Sequence, residues 1–124
     1  MRKLKTSEIP VVRESMRANQ GGCCAVCRLP VSKEQAVLDH DHGTGIVRAV
    51  LHRGCNSLLG KVENNYRRYG VRSLDAFLAG TANYLGLHIT DRTGLIHPTH
   101  KSEEEKRVAR NAKARKARAT KKAT

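Results

Sequence analysis

The sequence predicts a small α+β fold: a β-hairpin and the helix after it clipped together by zinc, flanked by further helices and followed by a disordered basic tail. Three observations predict it. Cys24-Ala-Val-Cys27 and His52-Arg-Gly-Cys55 are two chelating pairs with the ligand types and spacing of a zinc knuckle. Between them lie two short apolar runs separated by Gly43-Thr44-Gly45, the pattern of a hairpin. The third observation is a shortage. Hydrophobic residues make up 39% of the chain, aromatics 3%, and there is no Trp. A chain of 124 residues makes one domain, and a core this poor in large side chains calls for a metal or a partner.

Residues 1–22 form a basic arm and a helix over roughly 8–19, with Ser7 as its cap and Pro10 in its first turn. Val11, Val12, Ser15 and Met16 are its expected inner face, and Gly21-Gly22 stops it. Residues 23–70 carry the zinc-bound unit. Ala36–His40 reads as a strand and Ile46–Leu51 as its return. A helix then begins near Cys55-Asn56 and runs to about Arg68, ended by Gly70, with Leu58, Leu59 and Val62 facing the hairpin. Residues 71–100 hold an amphipathic helix over about 74–86, started at Ser73-Leu74-Asp75, and then a connector. Leu74, Phe77, Leu78, Ala82 and Leu85 recur on that helix at a spacing suited to packing or to a dimer contact. Residues 101–124 are low-complexity and basic, with almost nothing large and apolar, and disorder is the expectation there.

Lys and Arg number 24 against 11 Asp and Glu, a formal net charge of +13. Such a balance speaks to partners and not to fold. Nucleic acid leads, because each neutralised phosphate releases counterions, and the tail would add salt-sensitive affinity. A membrane partner is not expected: no apolar run approaches a spanning helix, and no signal-peptide stretch follows the basic start. That places the chain in the cytoplasm. In a reducing compartment the four cysteines read as metal ligands before disulfides.

Cys24, Cys27, His52 and Cys55 make a Cys3His set, whose four protein ligands leave no open position, so the zinc is expected to be structural. Cys23 can also pair with Cys27, and that alternative stays open. Inside the frame lies Leu38-Asp39-His40-Asp41-His42. Strand alternation parts Asp39 from His40, unless the strand ends at His40 and both reach the mouth of the hairpin. With Asn56 brought up by the zinc clip, Asp39 offers the hard oxygen ligands of Mg2+ or Mn2+, and a neutral His40 can take a proton from water. Arg48, Lys61, Arg67 and Arg68 are candidates for the nucleic-acid backbone.

The run Gly22–Gly60 holds Cys-x-x-Cys, Leu-Asp-His-Asp-His, Gly-x-Val-Arg and Cys-Asn-x-x-Leu-Gly in order. It resembles the recombination endonuclease VII family of phage nucleases, which are ββα-metal (His-Me finger) enzymes of the broader HNH group. The resemblance implies an endonuclease in which Asp39 and Asn56 hold the catalytic Mg2+. It makes His40 the general base, with His42 an accessory group near the phosphate or the metal. It implies 5′-phosphate and 3′-hydroxyl products, branched DNA such as Holliday junctions as substrate, a homodimer, and work inside a phage-infected cell. His52 stands where the family's usual zinc site has a cysteine, and Asp75 where relatives place a Glu on the downstream helix. Two rival readings are a general HNH nicking or double-strand nuclease in phage packaging or host DNA degradation, and a zinc-knuckle nucleic-acid-binding protein without catalysis. Asp39, His40 and Asn56 together discriminate, since a pure binder has no need of all three.

Overall fold

The computed structural model describes residues 1–123. These form helices α1 (Ile9–Asn19), α2 (Arg53–Asn65), α3 (Leu74–Leu87) and α4 (Glu103–Ala123), with strands β1 (Ala36–His40) and β2 (Val47–His52). The chain divides into one unit spanning Met1–Thr81 and a second that starts at Ala82.

A short 3-10 turn, Thr6–Glu8, precedes α1. Ser7 lies inside that turn, so it does not cap the helix as its position suggests. Glu8 stands at the start of α1 without a side-chain cap bond to it; its carboxylate closes the 3-10 turn instead, accepting the Lys5 backbone N–H at 2.9 Å and pairing with Arg2 at 2.8 Å. At the other end Gly22 N–H reaches the Arg17 carbonyl at 2.9 Å and Gly21 N–H the Ala18 carbonyl at 3.0 Å, with Gly21 at φ 69°. This is a Schellman stop, which needs the left-handed backbone that glycine adopts freely. Val12 and Met16 are half-buried, while Val11 and Ser15 face water. The helix is turned by Arg17, whose Nη1 donates to the Val31 carbonyl at 2.8 Å, and by Gln20. The Gln20 side chain brackets Val50: its Nε2 donates to the Val50 carbonyl and its Oε1 accepts the Val50 N–H, both at 2.9 Å.

β1 and β2 pair antiparallel, Ala36 opposite His52 and Leu38 opposite Val50. Past Leu38 the register slips, and His40 pairs with Val47. Two residues of β2, Arg48 and Ala49, therefore stand opposite Asp39. A bulge of this kind re-aims the side chains of its strand. The turn is built by Asp41, whose Oδ1 accepts the Gly43 and Thr44 backbone N–H groups, both at 2.8 Å.

The core is small: Cys24, Val31, Ala36, Val50 and Leu51 are buried, with Met16, Leu38, Cys55 and Leu59 packed against them. Leu59 faces the hairpin as its spacing predicts, but Leu58 is 66% exposed. α2 stops at Asn65, and a 3-10 turn over Tyr66–Tyr69 carries the chain to Gly70, so Arg67 and Arg68 sit beyond the helix. Ser73 starts α3 by accepting the Ala76 N–H at 3.4 Å.

The C-terminal segment differs from expectation: α4 is a 21-residue helix. Low apolar content argues that nothing there can be buried, and no α4 residue is buried. It does not argue against local order. Ala, Lys, Arg and Glu are strong helix formers. Ser102 accepts the Glu105 N–H at 3.1 Å, three acidic residues fill the first turn, and Lys121 and Lys122 lie in the last. Thr124, the last residue of the expected tail, lies outside the described residues.

Candidate metal centre and the acidic cluster beside it

The ligand atoms of Cys24, Cys27, His52 and Cys55 lie within 4.8 Å of one another. Among the described residues no other group of three or more His, Cys, Asp or Glu is arranged to hold a metal ion. Two elements of local structure bring the pairs together. The first pair sits on a knuckle closed by Cys24 N–H to the Leu29 carbonyl at 2.9 Å and Arg28 N–H to the Cys24 carbonyl at 3.0 Å, with Arg28 at φ 68°. The second pair straddles the junction of β2 and α2.

The donor set fits zinc. His52 Nδ1 lies 3.2 Å from Cys27 Sγ and 3.9 Å from Cys55 Sγ. Metal bonds of about 2.0–2.3 Å in a tetrahedron put neighbouring ligands roughly 3.5–3.8 Å apart. His52 Nε2 lies 2.9 Å from the Pro30 carbonyl. A carbonyl only accepts, so Nε2 carries the proton and the Nδ1 lone pair is left for a metal ion shared with the three sulfurs. Burial opposes ionisation of Cys24, but the backbone N–H groups of Cys27, His52 and Val26 outweigh it and bring the thiol down to about 6. Burial and the neighbouring thiols of Cys27 and Cys24 push Cys55 up to about 11. Cys23 stands outside the set, its thiol 3.6 Å from the Gly21 carbonyl.

Asp39 is buried at 5% exposure, the one charged residue in the core among the described residues. Both of its oxygens are held by Arg48, Oδ2 by Nε at 2.7 Å and Oδ1 by Nη2 at 3.1 Å. The same guanidinium forks onto Glu63 of α2, through Nη1 at 3.0 Å and Nη2 at 3.1 Å. Glu63 and Asp39 together raise the Arg48 pKa further. Arg48, a candidate for the nucleic-acid backbone on sequence, is thus the bridge of a carboxylate–guanidinium–carboxylate chain joining β1, β2 and α2.

The other candidates fall as follows. His40 ends β1 and is exposed, its ring 5.0 Å from that of His42. An open groove of about 960 Å3 runs past His40, with Arg2 and Lys3 among its lining. Asp41 is committed to the turn, and its carboxyl lies below the ordinary value because the Thr44 and Gly43 backbone N–H groups bond it. Asn56 lies half-buried in the first turn of α2, next to the ligand Cys55. Lys61, Arg67 and Arg68 are exposed. Asp75 bonds Ser73 at 2.8 Å at the start of α3. Sequence reasoning missed Glu63. Its only signal is a place seven residues after Asn56, two helical turns along α2.

A family model described as recombination endonuclease VII matches residues 2–85. The chain belongs to the recombination endonuclease VII family. The endonuclease VII match takes in α1, the hairpin, the whole Cys/His set, α2 and most of α3, while α4 lies beyond it. The family is one of endonucleases, which agrees with the order of short motifs between Gly22 and Gly60. No curated protein matches the chain. None of the described helices is long and apolar enough to cross a membrane.

Proposed function

We propose that this protein is a divalent-metal-dependent DNA endonuclease with a zinc-clipped His-Me finger, acting on branched DNA inside a phage-infected cell. One observation supports the reading: the β2–α2 junction that supplies His52 and Cys55 to the Cys/His set is followed at once by Asn56, half-buried in the first turn of α2, while the hairpin ending at that junction bears Asp39 and His40. Zinc at Cys24, Cys27, His52 and Cys55 is structural in this reading, because all four positions are filled by protein.

Asp39 and Asn56 are the ligands of the catalytic Mg2+ or Mn2+. The buried Asp39 carboxylate already holds a cationic group, and both residues offer hard oxygen donors. When bound, the ion supplies charge neutralisation at the scissile phosphate and at the leaving 3′ oxygen. His40, exposed at the strand end, takes the proton from the attacking water. His42, stacked beside it, orients the ring or meets the phosphate. The groove past His40 admits a backbone, with Lys3 on its lining and Lys61, Arg67 and Arg68 serving as phosphate contacts elsewhere. α3 exposes Phe77, Tyr84 and Leu85 at 46%, 63% and 60%, which favours a second copy as its cover and hence a homodimer.

The deciding experiment is Mg2+-dependent cleavage of a labelled four-way junction beside linear duplex and single-strand controls, with His40→Ala in parallel. Junction-selective cutting that the variant loses is the expected result. Equal cutting of all three substrates keeps the nuclease and removes the branched-DNA preference. Binding without cutting in either Mg2+ or Mn2+ overturns catalysis and leaves a zinc-knuckle binding protein.

A further inference from the structure

We propose that Glu63 is a positioning residue that governs divalent-ion occupancy at Asp39, by holding Arg48 when the ion displaces that guanidinium from the shared carboxylate. The inference rests on the reading of Asp39 as a metal ligand. It starts from a conflict. Asp39 has both oxygens engaged by Arg48, at 2.7 and 3.1 Å, and its side chain is 6% exposed. A divalent ion needs at least one of those oxygens, and two cations at contact distance on one carboxylate repel. Arg48 and the ion are therefore competitors for Asp39.

Release of Arg48 alone would strand a partly buried cation, its side chain 34% exposed. Glu63 removes that obstacle. It accepts Nη1 and Nη2 at 3.0 and 3.1 Å from the far side, so the guanidinium stays paired after it lets go of Asp39. The register slip in β2 sets Arg48 opposite Asp39, and two turns of α2 past Asn56 set Glu63 opposite Arg48. Before the ion binds, Asp39 carries no uncompensated charge. After it binds, Nε–H and one Nη2–H of Arg48 are freed beside the ion, in the fork geometry that suits a phosphate.

The test is Mn2+ affinity of the zinc-loaded protein, residues 1–124, without DNA, read by the free-Mn2+ electron paramagnetic resonance signal. Arg48→Met removes the competitor and is expected to tighten Mn2+ by about tenfold, on the order of one charge-assisted pair. Glu63→Gln leaves Arg48 wholly to Asp39 and is expected to weaken Mn2+ by about tenfold. In the Arg48→Met background the same Glu63→Gln change is expected to matter less than about twofold, since its effect runs through Arg48.

An equal loss on Glu63→Gln in both backgrounds makes Glu63 a plain neighbouring charge and overturns the proposal. Unchanged or weaker Mn2+ binding in Arg48→Met does so too. If Arg48→Met fails to fold, Arg48→Lys keeps the charge without the double fork, and absence of tightening there also overturns it. Asp39→Asn separates the two layers. Loss of Mn2+ binding upholds Asp39 as a ligand whatever the cycle shows, whereas parental affinity removes the ligand and the competition together.

Discussion

The hairpin with α2 and the helix α4 meet the same shortage of large apolar side chains in opposite ways. The first is held by through-space contacts: five buried residues, none aromatic, with a Cys/His set that can hold a metal and a part-buried Asp39–Arg48 pair. α4 buries none of its residues. Its order comes from helix propensity, the Ser102–Glu105 cap, and i,i+3 pairs such as Lys106–Glu103. One region is ordered only if residues far apart in sequence meet, and the other is ordered residue by residue. The comparison predicts separable behaviour, and each link can be broken in turn.

Metal removal is expected to have the largest effect. Structural zinc contributes apparent free energies of about 10–16 kcal/mol in zinc-finger peptides, more than a core this small supplies. Stripping zinc with a chelator is expected to abolish the cooperative thermal transition while far-UV circular dichroism keeps a helical residue from α4. A core that melts at its parental Tm after stripping would mean that the metal is not structural.

Next in size is His40→Gln. An exposed strand-end residue contributes little packing, so zinc content and Tm should stay put while cleavage falls roughly 10²–10⁴-fold, the usual weight of a general base. DNA affinity in a gel-shift assay should not follow. A parallel loss of affinity and rate would place His40 in binding and not in proton transfer.

Packing gives the third contrast. Leu51 is 2% exposed, and Leu51→Ala is expected to cost about 2–5 kcal/mol in denaturant unfolding of the zinc-bound protein. Ala112→Gly in α4 should cost about 1 kcal/mol of local helix and leave that transition where it was. A shift of the main transition by Ala112→Gly would show that α4 is coupled to the core.

The smallest effect concerns affinity. Replacing Arg110, Lys113 and Arg118 by Gln should weaken duplex binding and flatten its salt dependence, by roughly 0.9 in log–log slope for each phosphate no longer neutralised. Turnover at saturating DNA should not change. An unaltered slope would make α4 a solvated helix without a part in binding.

Much of the fold was legible locally. β1 has the bounds its short apolar run and the turn after it predict, α3 lies within a residue of expectation, and the two Cys/His pairs come together as their spacing requires. Other readings missed for identifiable reasons. Val11 and Ser15 fit a helical stripe, yet Gln20 and Arg17 anchor the helix and rotate them toward water. Asp39 and Asp41 are the same residue type two positions apart, but one is buried against Arg48 and the other is spent on backbone N–H groups of a turn.

By itself the sequence determined what depends on neighbours along the chain: the two chelating pairs, the hairpin turn at Asp41, the Gly21 stop, the charge of +13, and α4, whose propensity outweighed its low complexity. Only the tertiary structure decided what depends on register and approach. It left Cys23 out of the metal set, slipped β2 by one residue so that Arg48 faces Asp39, and brought Glu63 from α2 to the far side of the same guanidinium. The reason is physical. A propensity or a spacing acts over one or two turns of chain, whereas a buried carboxylate takes whichever cation the packed elements deliver to it.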